Sequence, residues 1–231
     1  MGNNKDSLGD RCKQYERNSE HHFIRKVPII LRCDGRAFHT YTKGCDKPFD
    51  QDLIDAMFAS ARNVAIEMQG CLACYVQSDE ATFVLSDDDD VDTQQWFKGR
   101  QNKIESVTAG LMTAHFNNLL TGSHKFGNKV AVFDARAFQC PKEDVANVFL
   151  WRMKDWERNS ISMYCLNFFT SKQLHGKGRA DQHEMLHKIG KNWATDCTAQ
   201  QKNGSWWSAN AITFMMPCKY DNIHEFIFNK S

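Results

Sequence analysis

Three acids stand where a chain could gather carboxylates at one point. Asp34 follows the apolar run Val27 to Cys33 and precedes Gly35, and Asp79 with Glu80 closes the Gln77-Ser78-Asp79-Glu80 tetrad. Carboxylates at the ends of neighbouring strands suit two-metal phosphoryl transfer. They hold two Mg²⁺ about 3.5–4 Å apart, one activating the attacking oxygen and one neutralising a polyphosphate. Mg²⁺ prefers one or two carboxylates completed by phosphate oxygens and water. Gly35 lets the backbone come close, so its carbonyl can serve as a further oxygen ligand. On spacing alone, a simple turn at Asp34-Gly35 and a polar hairpin tip at Ser78-Asp79-Glu80 account for the same residues equally well.

The elements that would position these acids follow from the hydrophobic pattern. The β-branched run 27–33, broken by Asp-Gly, reads as a buried strand ending in a turn. From Asp50 to Met68 apolar residues recur at helical spacing, with Asp50 as the N-cap. Residues 71–77 and 81–85 read as two strands of a hairpin around Ser78-Asp79-Glu80. A helix is predicted from about Gln94 to Leu120, a strand over 130–138 and a helix over 144–169. A basic, Gly-containing loop (174–179), a short helix near 183–189 and a final strand (211–216) complete the chain. The first 22 residues are polar, with a short helix as an option. This order predicts an α+β fold with helices packed on a mostly antiparallel sheet. It makes 1–231 a single domain, with a helical and β appendage from about residue 170.

Composition bounds the rest. The chain has 231 residues, 42% hydrophobic and 25% charged, with a formal net charge of +1. An ordinary core is affordable at this size without disulfides. The nine cysteines are scattered, and neither a leader nor a membrane-length apolar stretch accompanies them, which predicts reduced thiols in a cytoplasmic protein without membrane contact. Cys71 and Cys74 form a lone C-x-x-C without a second ligand pair and read as core thiols. Four successive acids, 87–90, cannot all converge on one ion and read as a solvated loop. His39, His115, His175 and His183 receive no acid–base role, since phosphoryl transfer between metals needs mainly positioning and charge neutralisation. Trp206 and Trp207 are open to base stacking or to packing in the core or a subunit interface.

The residues around the acids carry a resemblance. Leu31-Arg32-Cys33-Asp34-Gly35-Arg36-Ala37-Phe38-His39, Lys47-Pro48-Phe49-Asp50 and Tyr75-Val76-Gln77-Ser78-Asp79-Glu80 are similar to blocks of the tRNA(His) guanylyltransferase superfamily. Phe133-Asp134-Ala135-Arg136, Trp151-Arg152 with Asp155, and Leu174-His175-Gly176 followed by Glu184-Met185-Leu186 continue it in the family's order. The resemblance implies a polymerase-palm-like domain working in the reverse direction. A tRNA 5′-monophosphate is first activated with ATP or GTP. The 3′-hydroxyl of an incoming nucleotide then attacks the activated end. Asp34, the Gly35 carbonyl and Asp79 would carry two Mg²⁺, with Glu80 as a supporting catalytic acid. Arg32, Arg36, Ala37, Phe38, His39, Lys47, Ser78 and Asn159 would bind nucleotide, Lys47 as a point charge for phosphate. Lys98, Arg100, Lys103 and Arg158 would contact RNA or triphosphate, and Arg100 and Lys103 share a face if the segment is helical. The resemblance also implies a homotetramer.

One segment departs from the family. Where eukaryotic members carry His-Ile-Asn-Asn-Leu-Tyr-Asn, this chain has Glu157-Arg158-Asn159-Ser160-Ile161-Ser162-Met163. A carboxylate and a thioether cannot replace the hydrogen bonds of the lost His and Asn. Gln182 likewise stands where many relatives have Lys. The pattern resembles the bacterial and archaeal Thg-like branch, which implies template-dependent repair of tRNA 5′ ends. Two rival functions remain at this point: an NTP-only palm enzyme such as a nucleotide cyclase, and a catalytically idle RNA-binding module.

Overall fold

A computed structural model describes residues 7–126, 129–209 and 211–229. The first six residues, part of the stretch read as lacking a leader, lie outside the described ones. The elements run α1 (Leu8–Arg17), β1 (Ile29–Gly35), α2 (Phe38–Tyr41), α3 (Gln51–Glu67), β2 (Cys71–Gln77), β3 (Glu80–Leu85) and α4 (Gln101–Leu119). After these come β4 (Phe133–Gln139), α5 (Lys142–Cys165), α6 (Ser171–Leu174), α7 (Arg179–Lys188), α8 (Trp193–Asp196), α9 (Ala199–Asn203), β5 (Ser205–Ser208), β6 (Ile212–Thr213) and α10 (Tyr220–Phe228). The strands form a six-stranded sheet in the order β4-β1-β3-β2-β5-β6, every neighbouring pair antiparallel. This is the α+β architecture expected from the sequence.

Alternation along the strands divides the core in two. Leu31, Cys33, Ala81 and Phe83 point to one face, where Met57, Val64, Ile104 and Phe116 of α3 and α4 cover them. Ile30, Tyr75, Val84 and Trp206 point to the other, against Phe149 and Met153 of α5 and Ile223 of α10. A smaller cluster joins Ile161 and Tyr164 of α5 to Leu186 and Trp193. Asp50 caps α3 as expected, its carboxylate accepting from Leu53 N at 3.2 Å. Cys71 and Cys74 are strand residues; burial pushes the Cys71 thiol up to about 12 and the Cys74 thiol well above its ordinary range.

Three expectations need correction. The long helix does not begin near Gln94: Phe97, Lys98 and Gly99 all take positive φ (49°, 56° and 72°), so the chain turns sharply and α4 starts at Gln101. The acidic run is not simply solvated. Asp87 is 3% exposed, accepts from Lys26 N at 2.9 Å and lies 3.7 Å from Arg25, while Asp88 pairs with Lys142 at 2.6 Å. The predicted strand 211–216 shrinks to Ile212–Thr213, because β5, built on Ser205-Trp206-Trp207-Ser208, takes the place beside β2. Of the options open for Trp206 the core one holds: it is fully buried, packed against Tyr75, Phe149 and Phe226, and is not available to a base.

Candidate active site

Strand register builds the site. Asp34 on β1 lies directly opposite Glu80 on β3 and Asp134 on β4. Residues opposite one another in a sheet share a face, so Asp134, Asp34 and Glu80 form a carboxylate row across three strands. Two positions back, Arg136, Arg32 and Thr82 make the next row. The β2–β3 connection is the tight pair Ser78-Asp79, with Ser78 held at φ 49°. A left-handed conformation in a non-glycine residue is the kind of local strain found at functional sites. Gly35 N donates to Asp79 O at 3.0 Å, which sets the turn against the end of β1. A Cβ on Gly35 would come 2.3 Å from the Phe38 ring, and that ring is itself wedged among Tyr41, Phe116 and Phe133.

The charges of the row are unequal in partners. Glu80 is buried and held by a bidentate pair with Arg152, both contacts 2.7 Å, with Gln77 donating at 3.2 Å and Arg32 4.0 Å away. This geometry is that of a strong, fixed ion pair. Burial raises the Asp34 carboxyl above its ordinary range, and the Glu80 and Asp134 charges raise it further. Burial likewise raises Asp79, with Asp34 and Glu80 adding to it against the bond from Ser78 Oγ at 3.0 Å. Two raised carboxylates that face the same space suit a hard cation. Among the described residues no group of three or more His, Cys, Asp or Glu forms a metal cage. Mg²⁺ needs few protein carboxylates, since it completes its shell from phosphate and water.

Asp34, Ser78 and Asp79 form a wall shared by two cavities. One, of about 490 Å³, is lined also by Gly35, Ala37, Phe38, His39 and Lys47, and its apolar side is Phe49, Leu53 and Trp156. The other, of about 480 Å³, adds Gln77, Glu80, Arg152, Asn159 and Ser162. Trp156 and Met163 line both. Of the predicted nucleotide residues, Ala37, Phe38, His39, Lys47 and Ser78 thus surround the first cavity and Asn159 the second. Arg36 is exposed outside both, and Arg32 sits 5.6 Å over the Trp151 ring. Arg158 is exposed and paired with Asp155. Lys98, Arg100 and Lys103 gather at the start of α4 and line neither cavity. There Arg100 lies 3.4 Å from Glu20, and Lys103 lies 4.6 Å over the Phe97 ring.

Sequence reading passed over Asp134, Arg152 and Trp156 as site residues. The first two stood inside recognised blocks, so a signal existed; Trp156 looked like any apolar helix residue. The departures from the family also find places. Glu157 pairs with Arg179 at 2.8 Å and ties α5 to α7, while Met163 contributes its thioether to the cavity wall. Gln182, buried, accepts from Ser162 at 3.1 Å.

Comparison with known proteins places this arrangement. A family model described as tRNAHis guanylyltransferase matches residues 9–141. The tRNA(His) guanylyltransferase of Schizosaccharomyces pombe is 30% identical over 218 residues, covering 84% of this chain and 77% of that one. A bacterial tRNA(His) guanylyltransferase (Thg1)-like protein, solved in complex with ATP, superposes with a TM-score of 0.90 at 36% identity, over 96% of this chain and 100% of the other. A bacterial Thg1-like protein in complex with GTP gives 0.79 at 32%, with the same coverage of each chain.

Proposed function

The chain belongs to the tRNA(His) guanylyltransferase family of nucleotidyltransferases, and from that premise we propose that it adds nucleotides to a tRNA 5′ end in a template-dependent repair reaction. The observation that carries this reading is the shared wall: Asp34 and Asp79 separate two cavities of similar size. Joining two substrates requires such a divider, since each must bring a phosphate or hydroxyl to the same carboxylates. ATP or GTP would occupy the first cavity, with Lys47 offering a point charge to phosphate and Phe49 and Trp156 an apolar wall to the base. The RNA end or the incoming nucleotide would take the second, where Asn159 and Ser162 offer hydrogen bonds.

Asp34, the Gly35 carbonyl and Asp79 would hold two Mg²⁺ ions. When bound, these would supply charge neutralisation at the phosphates and lower the pKa of the attacking hydroxyl. The protein's own part is positioning. Arg152 pairs with Glu80 and offsets part of the charge that Glu80 sets beside Asp34, so Glu80 supports the site through the ion pair. Lys98, Arg100, Lys103 and Arg158 lie outside the cavities and suit contacts to RNA phosphates, which add affinity without sequence choice.

The repair reading rests on the α5 segment. Glu157 is engaged with Arg179 and Met163 offers a thioether, so neither reproduces the polar set that eukaryotic relatives carry. In this account the chain is one palm-like domain with an appendage from about residue 170, whose β5 and α10 return to the sheet and to α5. It works as a homotetramer in the cytoplasm. No helix among the described residues is long and apolar enough to cross a membrane. The test is incorporation of labelled GTP into a 5′-truncated tRNA, with and without ATP and Mg²⁺. Label entering RNA only when Mg²⁺ is present supports the proposal. Turnover of nucleotide with no RNA, or binding of RNA with no incorporation, would favour the cyclase or the idle module instead.

A further inference from the structure

Lys125, in the turn that follows α4, is held by three carboxylates of one short segment. Its Nζ lies 2.6 Å from Asp46, 3.2 Å from Asp50 and 3.3 Å from Asp52. Asp50 is the hub: its side chain is 1% exposed, and it also accepts from Asp46 N at 2.9 Å and from Leu53 N at 3.2 Å. Lys47 and Pro48 lie between the gripped positions, and Asp46, Lys47, Pro48 and Asp50 all line the first cavity.

Two physical consequences follow. The segment 46–52 is short and carries like charges that repel one another, so a cation bonded to all three holds both of its ends in place. Two of these carboxylates, Asp46 and Asp50, line a cavity where a polyphosphate would carry several negative charges, and each one left uncompensated would oppose that ligand.

We infer that Lys125 is a positioning residue for nucleotide binding, holding the segment that carries Lys47 and offsetting the acidic rim of the first cavity. This rests on the assignment of that cavity to ATP or GTP. Lys125 comes from a different part of the chain than the pocket it serves, and it touches no substrate itself.

The experiment measures binding of ATP and of GTP to the full chain, then steady-state kinetics on truncated tRNA, for the parent and for Lys125→Met, Lys125→Arg and Lys125→Met/Asp46→Asn. Loss of a contact that acts equally on bound substrate and transition state raises KM and spares kcat. Lys125→Met should therefore raise both Kd and KM roughly tenfold with kcat within about twofold. Lys125→Arg should stay close to the parent, and the double variant should recover part of the loss because one stranded charge is gone. The gap between Lys125→Met and the parent should narrow as salt rises. A lowered melting temperature with unchanged Kd and KM would make Lys125 merely structural and overturn the inference. So would a double variant no better than Lys125→Met. If the parent itself binds neither nucleotide, the cavity assignment fails first and this inference with it.

Discussion

Asp34 and Asp79 are costly residues for the protein alone. Burial and neighbouring carboxylates raise both above the ordinary range, so each is more easily protonated in the folded chain than in the unfolded one. For a raised acid the charged form destabilises the fold above its folded-state value, and stability returns as pH falls through that value. Asp34→Asn should thus raise the metal-free melting temperature at neutral pH, because the unfavourable buried charge is gone. It should also reduce nucleotide addition by more than about 100-fold, beyond the usual effect of losing a partner behind a metal ligand. Thermal melts without Mg²⁺ beside activity assays check both halves. Arg152 is the opposite case. Removing it strands buried Glu80, so Arg152→Met should cost about 3 kcal/mol in urea unfolding, and adding Glu80→Gln should recover much of that. Asp34 and Asp79 were legible as candidates through the family resemblance of their flanking blocks, since spacing alone fitted a simple turn and a hairpin tip equally well. Asp134, Arg152 and Trp156 were not, because their roles come from which strand lies opposite and which helix turn lies above.

Among the elements, those with clean periodicity were the ones read correctly. The hairpin β2–β3, the α3 helix with its Asp50 cap and α5 all declared themselves within a dozen residues or so. The start of α4 did not, because the Trp96–Gln101 stretch is apolar and basic enough to pass for helix. Only tertiary bonds reveal the turn: Phe23 N donates to Gly99 O at 2.9 Å, and Gln95 Nε2 donates to Ile24 O at 2.9 Å. Gly99 is essential to it, at φ 72° and with an added Cβ placed 2.3 Å from Gln95 Oε1. Gly99→Ala should destabilise the chain by roughly 1–2 kcal/mol from the left-handed backbone alone. Chemical denaturation measures this, and an unchanged midpoint would contradict the turn. β5 escaped for a different reason. Ser-Trp-Trp-Ser is too short to show a period, and its burial comes from β2 on one side and from α10 near the chain's end.

For the whole molecule, a net charge of +1 offers no general attraction to nucleic acid, so RNA recognition must come from local surfaces. The sheet supplies what a reaction between two nucleotides needs: carboxylates at the ends of its strands, with Asp34 and Asp79 in the wall between two cavities. α2 and the 46–52 segment enclose the first cavity and α5 the second, with Trp156 and Met163 of α5 reaching both. The central claim is that this divided site joins a nucleotide to an RNA 5′ end through Asp34 and Asp79. Its most direct test is to incubate labelled GTP, ATP, Mg²⁺ and a 5′-truncated tRNA with the parent and with Asp79→Ala, then map the label by end-specific nuclease digestion. The parent should place label at the 5′ end, and Asp79→Ala should lower that incorporation by more than about 100-fold. Label at the 3′ end, or equal incorporation by the two proteins, would contradict it.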